Sequence, residues 1–367
     1  MSTLTTNYLT PTGREEAWRF TPLKRLGGLH DGTFKLATRN TLALAGNAPA
    51  GVTFERIGRE LVSTESTTDD VIVGRIHEGA HQVSVLKIAA NTELAEPISL
   101  HRLAGGLTDA ELSRVQLRIG ANAKATVIIE NTGDHLIAED IEIICEPGSN
   151  LTVVSLQEWD SKTIHAGRQH AIVDKDATFK SIIVTVGGDV VRLLPTVEFK
   201  GQGASVELLG VYFATAGQFF EHRMFVDHLV PNAKSRVNYK GALAGQDAHT
   251  VWIGDVFIRA AAEGTDTYEL NRNLLLSDGA RADSVPNLEI ETGEIVGAGH
   301  ASTTGRFDDE QLFYLMSRGI AVEDARRLVV RGFFNEIVSE IGNAEIQDRL
   351  MTRIDQELEK AGAQCVI

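Results

Sequence analysis

A turn-forming residue followed by Ala or Ser recurs along the middle of this chain. The pairs are Asn122-Ala123, Gly148-Ser149, Asp176-Ala177, Gly203-Ala204, Asn232-Ala233 and Gly279-Ala280. Counted on the small residue, the intervals are 26, 28, 27, 29 and 47. The first four are nearly constant, and the last is close to two shorter turns. Each pair stands just before a short apolar run. A unit of this length holds two or three strands and no helix. It cannot bury its apolar face alone, but stacked copies can. The spacing predicts a β-helix or a similar solenoid. A sandwich with evenly spaced hairpins would give a comparable period, so the period alone leaves that architecture open.

The runs themselves support strands. From about 50 to 300 they include Val83–Ile88, Val115–Ile119, Ile141–Ile144, Leu151–Val154, Ile182–Val186 and Val206–Leu209, several with apolar residues alternating at period two. No segment between 110 and 290 reads as a long amphipathic helix, and a doubly wound parallel sheet needs such crossovers. With 34 Gly and only 8 Pro, the chain suits many tight turns and uninterrupted ladders. The fold class expected is mainly β, with a β-helix core over 51–305.

The two ends differ from this core. Residues 1–50 read as a short helical segment and a link, with Trp18 and Leu23 near one helix face and Pro22 limiting its length. Residues 306–367 read as a helical domain. Asp308 can cap a helix starting at Asp309, with Gln311 bonding back to the cap, and Gly319 falls at its left-handed C-cap. A second helix is expected from Val322 to Ile341, with Leu328, Val329, Phe333, Ile337 and Ile341 at helical spacing. A third runs from Ala344 to Lys360. The apolar stripe can pack on the chain's own core or meet a partner.

Charge and cysteine content exclude several functions. Lys+Arg is 35 and Asp+Glu is 50, a net charge of −15. That argues against nucleic-acid binding and against docking on an anionic membrane. No apolar run approaches the roughly 20 residues of a spanning helix, and residues 1–13 lack an apolar signal core. Two cysteines, Cys145 and Cys365, cannot staple a chain of this size, nor form a four-thiolate metal site. The expected setting is soluble, reducing and cytoplasmic. There is no Walker A motif, no G-x-S-x-G elbow and no dinucleotide fingerprint around Gly217-Gln218-Phe219.

His300 is the most suggestive single residue. It lies among small residues in Gly297-Ala298-Gly299-His300-Ala301, which allow close approach of a backbone or ligand. His222 and His228 are six apart, so one extended strand would put them on the same side, and two solvated or satisfied histidines are favoured over a metal pair. Cys145 reads as a buried, inert thiol. Asp227, Asp247, Asp255 and Asp266 could line a groove, as in a carbohydrate-active or glycan-binding β-helix. Only 3 Trp and 5 Tyr weaken that alternative, which would want aromatic platforms. A homodimeric adaptor without a metal role is a third possibility.

Four blocks bring a known family into view. They are Arg14-Glu15-Glu16-Ala17-Trp18-Arg19-Phe20-Thr21; His228-Leu229-Val230-Pro231 with Tyr239-Lys240-Gly241; Asn271-Arg272-Asn273-Leu274-Leu275-Leu276-Ser277 with Pro286-Asn287-Leu288-Glu289-Ile290; and Gly305-Arg306-Phe307-Asp308-Asp309-Glu310-Gln311-Leu312-Phe313-Tyr314-Leu315 with Ser317-Arg318-Gly319-Ile320. Together they resemble the SufB/SufD family of the SUF iron–sulfur cluster assembly machinery, and the first block favours its D branch. The resemblance implies a right-handed parallel β-helix flanked by helical regions. It implies a non-enzymatic subunit that pairs with SufB and binds the SufC ATPase through its C-terminal helices, with a homodimer possible when SufB is absent. Phe313, Leu328, Phe333, Phe334 and Ile337 then fall in the SufC docking region. No cofactor would be tightly bound by the chain alone. A transient iron–sulfur cluster would form with SufB, and His300 matches the family histidine expected near that cluster or iron at the SufB interface. Where some members carry Cys and Gly around this His, Ala298 and Ala301 stand here, and Ala233 replaces another Cys. Any thiolates would therefore come from the partner.

Overall fold

The structure, a computed structural model, describes residues 8–63, 66–103, 105–306 and 309–364. Asp308 and Cys365 lie outside the described residues, and so does the side chain of Gln311.

From β3 onward, successive strands alternate between two nine-stranded sheets that face each other across one apolar interior. The first sheet holds β1 (Leu42–Leu44), β4 (Ile98–Arg102), β6 (Lys124–Gly133), β8 (Asn150–Trp159), β10 (Thr178–Thr185), β12 (Ser205–Ala214), β14 (Lys234–Leu243), β16 (Asp266–Leu275) and β18 (Gly297–Arg306). The second holds β2 (Val52–Gly58), β3 (Gln82–Ile88), β5 (Glu111–Ile119), β7 (Leu136–Cys145), β9 (Ile164–Val173), β11 (Val190–Phe199), β13 (Phe219–His228), β15 (His249–Ile258) and β17 (Arg281–Ile290). Apart from β1 on β4 and β2 on β3, which are antiparallel, the named strand pairs are parallel. This is a parallel β-solenoid, and the parallel pairing rules out a hairpin sandwich.

The repeat marks one corner of the coil. Lys124, Asn150, Thr178, Ser205, Lys234, Asp266 and Gly297 lie in register along the first sheet. Just before these strands, Asn122, Gly148, Asp176, Gly203, Asn232 and Gly264 have positive φ of 55–76°. That left-handed geometry favours Gly and Asn/Asp over other residues. The small residue that follows is buried, as at Ala123, Ser149, Ala177, Ala204 and Ala233. The corner donors are satisfied by the next coil: the Asn122 N–H donates to the Pro147 carbonyl at 3.0 Å, Gly148 to Lys175 at 2.9 Å and Asn232 to Glu263 at 2.7 Å.

One expectation is corrected here. Gly279-Ala280 belongs to the opposite corner, before β17, in line with Gly217 and Asp247. The pair that continues the first series is Gly264-Thr265, hidden because Thr replaces the small residue. The interval of 47 is thus one long coil and a half-coil, not two short turns.

At the N-terminal side, two single 3₁₀ turns, Glu16–Trp18 and Leu23–Arg25, flank Pro22 where a short helix was expected. They lead a strap that packs Trp18, Leu26 and Leu29 on the outer face of the second sheet. A helix that the sequence reading did not include, α1 (Val71–Gly79), covers the same face. The Asp70 side chain caps it by accepting from the Ile72 and Val73 N–H groups.

At the C-terminal side come α2 (Asp309–Ser317), α3 (Val322–Val338) with a 3₁₀ turn at Ser339–Ile341, and α4 (Ala344–Gln364). Gly319, at φ 86°, closes α2, with the Ile320 N–H reaching back to the Leu315 carbonyl and Gly319 to Met316. Helices α3 and α4 bury Val330, Phe334, Ile337, Leu350 and Ile354 against Val154, Ile182, Val184, Val211 and Phe213 of the first sheet. Strands covered on both faces read as continuous apolar runs, as in Ile182-Ile183-Val184. Ion pairs rim this seam, including Lys180–Glu340 at 2.8 Å, Lys240–Glu336 at 2.5 Å and Arg349–Glu130 at 2.8 Å.

Candidate functional site

Strands β17 and β18 end the two sheets, and each has a strand neighbour on one side only. The last coil therefore exposes both backbone edges and the side chains that would otherwise point into the interior. His300 is one of these. It lies in register with Glu269 of β16, and Ser302 and Thr304 lie in register with Asn271 and Asn273. In-register neighbours on parallel strands point to the same side. Glu269, Asn271 and Asn273 are buried inside the coil. His300 takes the same direction one layer further out, where its side chain is 42% exposed.

Glu269 is the unusual partner in this column. It is 1% exposed, and neither carboxylate oxygen has a hydrogen-bond partner among the described residues. Oε1 lies 3.7 Å from His300 Nδ1. The carboxyl group rests over Gly254 of the facing sheet, where a Cβ would collide with Oε2. Burial, helped by the charge of Asp255, pushes its pKa up to about 8. Other buried carboxylates have cations beside them: Glu111 and Glu139 meet Arg102, Asp140 meets Arg168 at 2.8 Å and Glu221 meets Arg192 at 3.7 Å.

Deeper in the coil several polar groups pair with one another, although the Tyr239 hydroxyl and the Trp252 indole N–H have no partner among the described residues. The Tyr212 hydroxyl donates to Asn273 Oδ1 at 2.6 Å, and the Ser284 hydroxyl donates to Asn271 Oδ1 at 2.7 Å. His222 and His228 both point inward from β13, as the even spacing requires, and have separate partners. His222 Nε2 is 3.0 Å from the Thr185 hydroxyl, and His228 Nε2 is 2.9 Å from the Ser235 hydroxyl. Burial lowers their pKa values to about 3 and about 4. They are packed neutral histidines, stacked on Tyr212 and Phe199.

The remaining candidates separate. Cys145 is buried and free, with burial pushing its pKa up to about 12. Asp227 pairs with Arg259 at 2.7 Å, Asp266 pairs with Arg236 at 2.7 Å and Asp255 accepts from Asn287 at 2.7 Å. Asp247 occupies a corner at φ 59°. The four acids do not line a common groove, because each is taken up by local pairing or by a turn. Among the described residues, no three His, Cys, Asp or Glu side chains are grouped to hold a metal ion, and no helix is long and apolar enough to cross a membrane.

The helical tail divides the five residues expected in a docking region. Phe313 and Leu328 are exposed, at 73% and 52%, and Tyr314 and Met316 extend that apolar surface. Phe333 is partly buried beneath the Lys240 ammonium, 5.1 Å from its ring centroid. Phe334 and Ile337 are buried against the solenoid.

The chain is thus a parallel β-solenoid with an open end and a helical tail packed on its first sheet. The family described as SUF system FeS cluster assembly, SufBD core domain, matches residues 102–333. The chain is 46% identical over 355 residues to an iron–sulfur cluster assembly SufBD family protein of Mycobacterium tuberculosis, covering 95% of this chain and 89% of that protein. A Mycobacterium leprae SufBD family protein is also 46% identical, over 356 residues, with 95% and 90% covered. The iron–sulfur cluster assembly protein SufD of Escherichia coli is 24% identical over 381 residues, with 95% and 89% covered. This chain belongs to the SufBD family of iron–sulfur cluster assembly proteins.

Proposed function

We propose that the chain is the SufD-type subunit of a SUF scaffold, with no enzymatic activity of its own. It joins a SufB-type partner at the open end of the solenoid, and its His300 faces the nascent cluster there. The carrying observation is that both sheets stop in ten-residue edge strands with His300 exposed beside them. Long unpaired edges are ready templates for another chain. Exposed Ile290, Val296 and Tyr268 add apolar surface at the same end. Since Cys145 is buried far back in β7, cluster thiolates come from the partner, and His300 supplies a borderline nitrogen donor.

The exposed Phe313–Met316 face and Leu328 offer the docking surface for the SufC ATPase. Force applied there reaches α3 and α4, which are clamped to the first sheet, and β18 of that sheet carries His300. ATP-driven closure of the motor thereby rearranges the open end in the reducing cytoplasm. The test is co-purification with SufB and SufC, followed by iron and sulfide determination. The expected result is a complex that loses cluster when His300→Ala is introduced. Absence of co-elution overturns the partner assignment, and full cluster assembly by His300→Ala overturns the histidine's role.

A further inference from the structure

We propose that Glu269 is a second donor of the His300 site, so that the two side chains form a half-site for a divalent first-row transition metal ion, completed by donors from across the open end. This deepens the His300 reading and rests on it.

The argument starts from burial. An unpaired carboxylate inside a protein costs several kcal/mol unless it is protonated or partnered. Glu111, Glu139, Asp140 and Glu221 have an arginine within reach, and Glu269 has none among the described residues. Both its oxygens are free although the adjacent Asn271 and Asn273 are fully engaged. The backbone makes room for the carboxyl group at Gly254. A cation at the mouth of the coil would supply the missing partner.

The distance agrees with a shared ion. At 3.7 Å, Nδ1 and Oε1 are too far apart for a hydrogen bond. Two donors each about 2.1 Å from one ion, at tetrahedral or octahedral angles, stand roughly 3.0–3.4 Å apart. A small rotation of the exposed imidazole closes that difference. Imidazole nitrogen with carboxylate oxygen suits iron(II), cobalt(II) or zinc(II) better than a hard alkaline-earth ion. Two donors leave the remaining positions open, as delivery of a metal cargo requires.

The test is anaerobic titration of the full-length chain with Co(II) alone, followed by visible absorption. The wild type is expected to bind one ion saturably, with Glu269→Gln and His300→Ala each weakening binding about tenfold or more. Thermal unfolding separates this from a structural role. Glu269→Gln removes an unpaired buried acid, so its melting temperature stays level or rises while metal affinity falls. Glu269→Asp, whose oxygens retreat by one methylene, weakens binding as well and serves if the Gln variant fails to fold. Loss of binding in His300→Ala with wild-type affinity in the Glu269 variants overturns the role of Glu269 and leaves that of His300 standing. Wild-type affinity in all variants overturns both. No saturable binding by the wild type overturns the half-site, with His300 still tested by cluster assembly in the complex.

Discussion

The guanidinium of Arg192 lies 3.9 Å from the centroid of the Trp18 ring, and its Nη1 is 2.9 Å from Asp70 Oδ2. One buried cation thus joins the N-terminal strap, the cap of α1 and strand β11. The neighbouring Glu221 accepts from the Thr21 hydroxyl at 2.7 Å, which fastens the strap a second time. Trp18→Ala removes both a cation–π contact and a large buried side chain, a loss of about 3 kcal/mol. Hydrogen exchange should show residues 8–36 and α1 opening while the far coils keep wild-type protection. Uniform destabilisation of all coils would contradict this local role.

Acid should weaken the solenoid between pH 6.5 and 4 through its buried histidines. Burial holds His135, His170 and His228 at about 4 and His222 at about 3, and it also keeps His165 well below the ordinary value. Between pH 6.5 and 4 the unfolded chain binds protons that the folded one refuses. Stability is therefore complete above 6.5 and falls as pH drops through this window, by up to about 1.4 kcal/mol per unit for each histidine. Glu221 and Glu269, whose pKa values are raised by burial, act in the opposite direction but are fewer. The urea midpoint should be lower at pH 5 than at pH 7, and an unchanged midpoint would count against buried neutral histidines.

The corners predict a contrast between two substitutions. Asn232, at φ 59°, should accept Gly with a change within about 0.5 kcal/mol, since Gly adopts this geometry freely. Gly203, at φ 76°, should not accept Val, whose branched side chain resists positive φ and would meet the stacked Asp176 carboxylate. A loss of about 2 kcal/mol or more is expected in thermal or urea unfolding.

The tail separates stability from docking. Phe334→Ala opens the seam between α3 and the first sheet and should lose about 3–5 kcal/mol. Leu328→Ala, on an exposed position, should change stability by less than about 0.5 kcal/mol. If the exposed face is the ATPase dock, Leu328→Ala combined with Phe313→Ala should abolish capture of that partner while the melting temperature holds.

What the sequence made legible follows from how local each cause is. Corner residues announce themselves because positive φ is a single-residue demand, met by Asn122, Asp176 and Gly203 alike. The series broke only where Thr265 replaced the small residue. Helix α1 was hidden because Val71-Ile72-Val73 has strand-like composition, and its one local signal is Asp70 at the cap. Helical spacing located the stripe on α3 but not what covers it. The buried set is Ala325, Val330, Phe334, Ile337 and Val338 on α3 and Ile341 in the turn after it, whereas Leu328 faces out. His300 stood out among its small neighbours. Glu269 did not, because an acid in a strand gains meaning only when register sets it inside the coil under that histidine.

The antiparallel strands β1 and β2 give the rod unlike ends. A stack that could accept another strand at both ends in the same sense would lengthen without limit, as fibres do. Here the edges are antiparallel strands of three residues in β1 and seven in β2, and parallel ten-residue edges stand at the opposite end. A rod of this kind offers ten-residue edges at the His300 end alone, so a strand added in register there would lengthen the sheets at that end and not at the other.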